Sequence, residues 1–235
     1  MENVKRDHQG IYFLRRDSVK GREFSRGEEI CHAITHGIGA LLGILGALML
    51  LIKVSGFDAL SIFAASVYGA SLVILYSASC AYHISSAVFG SKRESRVREF
   101  FMKCDHSMIF FLILGTYTPA CLVTLRGPIG FTVFGIGAAC CILGIVLNVI
   151  NVRRFKKISL FLNLLSGWMI VIAFYPYYTV IGQLGSNYLI LGGILYTVGV
   201  LFYKKPEIRY THVIWHFFVL AGSLAHYVMV YFFCF

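Results

Sequence analysis

THVIWHFFVLAGSLAHYVMVYFFCF, residues 211–235, decides the architecture. The stretch carries no aspartate, glutamate, lysine or arginine, and as a helix rising about 1.5 Å per residue it spans a hydrocarbon core of about 30 Å. His212 and His216 lie four residues apart at its start, on one helical face, where both rings can reach a single ion. Histidine inside a membrane span is costly unless it is paired, hydrated or metal-bound. The pair therefore marks a candidate site, and the rest of the chain is read for what joins it.

Composition sets the class. Of 235 residues, 58% are hydrophobic and 14% charged, with mean hydropathy +0.75, far more apolar than a soluble domain of this length. Charge-poor runs at residues 31–53, 60–88, 106–125, 129–150, 158–178, 187–203 and 211–234 predict an all-α integral membrane protein, a seven-transmembrane helical bundle. The first run follows a charged arm and precedes similar runs, so it does not read as a cleavable signal. All 21 lysines and arginines except Lys53 and Arg126 fall in the amino-terminal arm or in the second, fourth and sixth connections. The positive-inside rule then predicts a cytoplasmic N-terminus and an outside C-terminus. The net charge of +10 points to anionic lipid of the inner leaflet and not to nucleic acid, since no recognition module accompanies it.

Two units follow: a basic cytoplasmic arm over 1–27 and a seven-helix membrane domain over 28–235. At the start of the domain, Glu29, His32 and His36 recur at three- and four-residue steps and share a face. Gly39 and Gly43 allow a second helix to come close. In the second span Ser79 and His83 are four apart near the cytoplasmic boundary, at the depth expected of His212 and His216. Three imidazoles from two helices fit a zinc site with a fourth position left for water or substrate. In the third span Asp105 stands at the same membrane end, where a carboxylate can take a proton from water or fix a ligand ring. Gly115 and Pro119 interrupt that helix farther along, with Thr116 and Thr118 placed to satisfy the freed backbone. His226 lies too far along to join the site and reads as a packing or hydrogen-bonding residue. The middle spans carry no deep charge, which argues against a proton-coupled transporter built there. The seven cysteines contain no CxxC pair.

EEICHAITHGIG at 28–39, SASCAYH at 77–83, CDHSMIFFLILGTYTP at 104–119 and HVIWHFFVLAGSLAH at 212–226 resemble the bacterial hemolysin III branch of the progestin and adipoQ receptor family. The resemblance covers the chain from Glu28 onward. It implies seven helices with an inward N-terminus and zinc held by three histidines near the cytoplasmic face of the cell membrane. The matching positions are His83, His212 and His216, with Asp105 beside the bound water and Ser79 one turn before the first ligand. Glu29, His32 and His36 are expected to support the ligand rings or relay protons beside them, the alternative being structural pairing with one another. The adiponectin receptor branch is associated with ceramide hydrolysis, and alkaline ceramidases belong to the wider superfamily. The expectation is therefore a zinc-dependent hydrolase acting on a ceramide-like lipid amide or related acyl lipid through metal-activated water. The alternative is a non-enzymatic zinc-containing regulator or sensor of membrane fluidity. A hemolysin-like pore finds little support, because the polar residues gather at one end. The short arm argues against a peptide hormone as partner, and oligomeric state is not legible.

Overall fold

The computed structural model describes residues 23–89 and 96–235. Most of the basic arm, and Lys92 and Arg93 of the second connection, lie outside the described residues. Every secondary-structure element among the described residues is a helix: α1 (Arg26–Lys53), α2 (Ala59–Phe89), α3 (Arg96–Tyr117), α4 (Pro128–Trp168), α5 (Phe174–Tyr203) and α6 (Thr211–Met229). Helices α3 and α6 each run on into a π-helical turn, Thr118–Thr124 and Val230–Cys234, and a 3-10 turn, Met169–Ala173, joins α4 to α5.

The expected seven membrane helices are corrected to five runs long and apolar enough to cross a membrane among the described residues. The spans expected at 129–150, 158–178 and 187–203 belong to one helical run of 76 residues, Pro128–Tyr203. This run is broken at Asn151 (φ −163°, ψ 94°) and Gly182 (φ 67°, ψ −176°). The reason is local. Arg153, Arg154, Lys156 and Lys157 read as a polar loop, but lysine and arginine are good helix formers with no glycine or proline among them. Helix therefore resumes after a single extended residue, with the Asn151 side chain accepting from Arg154 N (3.0 Å) to cap the new turn. Ser159 Oγ donates to Asn148 Oδ1 (2.6 Å) across the break, so the run folds back on itself there. At Gly182 the positive φ suits the one residue without a Cβ.

Burial is arranged for lipid on the outside. On α1 the buried stripe is Glu29, His32, His36, Gly39, Gly43, Gly46 and Leu50, whereas Leu41 (69% exposed) and Ile52 (75% exposed) face outward. Small and polar groups thus turn inward and large apolar ones outward, the reverse of a soluble bundle. Glycines at 39 and 43 make this possible. A Cβ at Gly39 would lie 2.7 Å from Tyr76 and 2.8 Å from Leu220, and one at Gly43 would touch the α2 backbone at Val73 (3.4 Å). α1 thereby packs directly on α2 and α6, as the glycine spacing predicts. Thr116 at the end of α3 and Thr118 at the start of the π-helical turn donate to the carbonyls of Leu112 and Leu114 (2.9 and 2.8 Å) just before Pro119.

Candidate metal centre

The site begins with a helix cap. Ser25 and Glu28 form a reciprocal capping box that starts α1 at Arg26, each accepting from the other's backbone N–H. The other oxygen of Glu28 accepts from the backbone N–H of Tyr210 (3.0 Å). Tyr210 has φ 62°, an uncommon conformation for a bulky residue, and directly precedes α6. Thr211 closes the same turn by donating to the carbonyls of Lys205 and Ile208 (2.7 and 2.9 Å). One buried carboxylate thus ties the start of α1 to the start of α6 and sets Glu29, His32 and His36 opposite His212 and His216.

α2 brings its C-terminal end to the same place. His83, His212 and His216 each offer a nitrogen within 4.8 Å of the others, and Glu29, His32 and His83 make a second group of the same kind. The ring centroids of His83 lie 5.4 Å from His212 and 5.1 Å from His216, and those two are 4.8 Å apart. His32 stands 4.6, 4.8 and 5.2 Å from His83, His212 and His216. His36 instead stacks on His216 at 3.6 Å and 12°. Phe24 covers the cluster, edge-on to His32 at 4.9 Å and tilted over His212 at 5.1 Å.

The hydrogen bonds fix which nitrogens face inward. His83 Nδ1–H donates to Glu29 Oε2 (2.6 Å), leaving Nε2 as the free donor atom of that ring. Thr35 Oγ1 lies 2.8 and 3.0 Å from the carbonyls of His32 and Cys31, so its single proton is used there. Toward His216 Nδ1, 2.9 Å away, the hydroxyl must then accept, which protonates Nδ1 and leaves Nε2 bare. A carboxylate or hydroxyl holding the outer nitrogen is how metal-binding imidazoles are oriented. His83 Nε2 is buried with no hydrogen-bond partner, as are both ring nitrogens of His32 and His36. Such orphaned atoms are expensive unless something accepts their lone pairs. The residues present fit a metal ion bound by imidazole.

The other expected residues fall around this core. Ser79 is buried on α2 one turn before His83. Asp105 belongs to neither metal-capable group; its partly buried carboxylate lies 3.5 Å from His106 Nδ1. His106 also meets the carbonyl of Met102 (3.0 Å), and His226 the carbonyl of Leu189 (3.2 Å), so His226 is the hydrogen-bonding residue expected. The cysteines are all free, and Cys80 faces Gly37. Sequence reading missed Phe24, Glu28 and Thr35. The S-x-x-E pattern at 25–28 is a legible capping signal, and Thr35 shares the face of His32 at a three-residue step. Nothing in the sequence marks Phe24.

With this geometry in place, comparison with known proteins is direct. Residues 24–227 match the family described as "Haemolysin-III related". "Hemolysin-3" of Bacillus cereus is 41% identical over 88% of this chain and 91% of its own length. The "Hemolysin-3 homolog" of Bacillus subtilis is 40% identical over 90% and 96%. "Monocyte to macrophage differentiation factor" of Homo sapiens is 27% identical over 86% and 83%.

Proposed function

The chain belongs to the haemolysin-III-related family, a multi-pass membrane helical bundle, and on that premise we propose that it is a zinc-dependent intramembrane lipid hydrolase acting on a ceramide-like amide or a related acyl lipid. The observation that carries the reading is the convergence of His83, His212 and His216, with His83 and His216 turned by Glu29 and Thr35 so that their Nε2 atoms stay free. An all-imidazole donor set suits zinc, which when bound supplies a Lewis acid for an acyl carbonyl and makes water a stronger acid at neutral pH. Asp105 takes the proton as the acyl carbon gains its new C–O bond, and returns it to the amine nitrogen as the C–N bond breaks. Ser79 hydrogen-bonds the substrate or Asp105 from the turn before His83. Glu29 and Thr35 hold the ligand rings. A cleft of about 340 Å³ between α3 and α4, lined by Arg153, Arg154 and a Lys103 that pairs with Glu99 at 3.6 Å, has the net positive charge to accept an anionic lipid headgroup.

The N-terminus and the histidine cluster belong on the cytoplasmic side in this reading, on the distribution of basic residues. A cysteine probe appended after Phe235 should react from outside intact cells; protection of that probe would invert the arrangement. Purified, zinc-loaded protein in bilayers should release fatty acid from at least one member of a panel of lipid amides and acyl lipids. Asp105→Asn with zinc retained should lose that release. Zinc-replete wild type that hydrolyses no lipid removes the hydrolase.

A second reading draws on one observation. His32, His36, His83 and His216 are all buried, with Phe24 over the cluster, which suits a metal that stabilises a regulator of membrane order. An effect of expression on membrane order that His212→Ala abolishes, without hydrolysis, would favour it.

A further inference from the structure

The metal reading gives His83, His212 and His216 an ion to share and gives Glu29 and Thr35 rings to hold, which leaves one buried imidazole without a task. His36 is 4% exposed, neither of its nitrogens has a hydrogen-bond partner in the protein, and it belongs to neither metal-capable group. His32, by contrast, has the Glu29 carboxylate 3.5 Å away. The polar atoms next to His36 are already engaged. Thr35 Oγ1 serves the carbonyls of Cys31 and His32 and the ring of His216. The Tyr76 hydroxyl donates to Ser223 Oγ (2.7 Å) while its ring stands edge-on to His36. A neutral imidazole carries one donor and one acceptor, and burying both unmade is costly. A ring kept in this way is suited to a molecule that enters the site.

The stack limits what His36 can reach. Its ring lies parallel to that of His216, with centroids 3.6 Å and planes 12° apart. An ion bound by an imidazole lies in the plane of that ring, so a ring one layer away does not share it, in keeping with the absence of His36 from both metal-capable groups. An oxygen about 2.0–2.2 Å from such an ion, on the His36 side, comes within hydrogen-bond range of a nitrogen in the His36 layer. His36 is also one turn farther along α1 than His32, toward the apolar middle of the helix, where the chains of a lipid lie.

We propose that His36 is a substrate-binding residue that donates a hydrogen bond to the acyl carbonyl oxygen of the lipid. Its second nitrogen accepts from an amide N–H or a hydroxyl of the same lipid, so one acyl lipid answers both unmade bonds. A donor aimed at the carbonyl oxygen gains strength as negative charge develops there, and His36 therefore favours the transition state over the resting complex. The inference rests on the metal and hydrolase reading above and adds the group that recognises the acyl oxygen.

The test is calorimetric titration of a medium-chain acyl hydroxamate, which presents an acyl oxygen to a metal, into purified zinc-loaded protein. The readout is binding, so it stands apart from whether any lipid is hydrolysed. His36→Phe keeps a flat ring to stack on His216 and removes both nitrogens. It should retain zinc and bind the hydroxamate about tenfold more weakly than wild type, the scale of one hydrogen bond. His36→Gln returns an N–H near the position of Nε2 and should recover most of that loss, whereas a merely structural ring would make His36→Phe the better replacement. Equal affinity in wild type and His36→Phe overturns the inference and leaves the metal reading intact, as does weaker binding in His36→Gln than in His36→Phe. Zinc lost from both variants also overturns it, because His36 would then support the ion. If neither variant folds, wild type labelled with 15N-histidine decides: one additional imidazole N–H protected from exchange is expected when the hydroxamate binds, and an unchanged set overturns the inference. Wild type that binds no zinc removes the metal reading along with it.

Discussion

Polar groups are buried in two opposite ways within this bundle. Where the ends of α1, α2 and α6 meet, buried imidazole nitrogens are left without partners. Deeper in the helices the buried phenols are mostly paired inside the chain. Tyr76 donates to Ser223 Oγ (2.7 Å), which also meets Tyr196 Oη (2.8 Å). Tyr117 donates to the carbonyl of Ser166 (2.7 Å) and accepts from Ile170 N (2.8 Å), and Tyr227 donates to the carbonyl of Gly46 (2.9 Å). Among the described residues Tyr68 is the buried phenol left without a partner. With no water to fall back on in a membrane interior, an internally completed network holds helices together, and an uncompleted, convergent one has the geometry to coordinate a metal ion.

The sharpest way to break this contrast is to remove a converging ring. His216→Ala should reduce zinc from about one per chain to near none by elemental analysis. It should also lower thermal stability in zinc, because an ion held at a thousand times its Kd stabilises the folded state by about 4 kcal/mol. Thr35→Val leaves the ligand in place and removes the acceptor at His216 Nδ1, along with the hydroxyl's bonds to its own helix's carbonyls, so zinc should bind about 10–100-fold more weakly. Unchanged zinc in both variants would place these rings with the internally satisfied groups.

The phenol network should respond differently. Tyr76→Phe keeps the ring that packs edge-on against His36 at 5.1 Å and loses the bond to Ser223, which Tyr196 still partners. A loss of about 1 kcal/mol in stability with zinc content unchanged is expected. Loss of zinc in this variant would join the two regions into one.

The smallest effect belongs to an exposed pair between helices. Asp58, before α2, meets Arg126 at 2.8 Å, and hydrogen bonds from the Ser61 side chain and backbone, then from Arg126, pull its carboxyl down to about 2 from 3.8. A depressed folded-state value contributes stability above pH 4 that is lost as pH falls through about 2. Because the pair is exposed and screened, Asp58→Asn should lower stability only slightly at neutral pH, and that difference from wild type should disappear below about pH 2. A large drop at neutral pH would show that this contact matters more than an exposed ion pair should.

Much of the site was legible because its parts are local. The four-residue step from His212 to His216, and the steps from Glu29 to His32 and His36, follow from helical periodicity alone. The partners were not legible. Glu29 reaches His83 across 54 residues of sequence, Thr35 reaches His216 across 181, and Glu28 reaches Tyr210 across 182. Asp105, which motif resemblance put at the metal, has His106 as its close partner and stands outside both metal-capable groups.

The amino-acid sequence by itself determined that this is an apolar helical membrane protein of recognisable family, with histidines gathered at one end, since composition and periodicity depend on each residue and its near neighbours. Only the tertiary structure decided how many separate runs the helices make and which nitrogens face inward. Arg153 to Lys157 and Gly182 carry too little local signal to show that a turn takes one residue and not a loop. An imidazole tautomer is set by whatever lies against its other nitrogen, and here that partner comes from another helix.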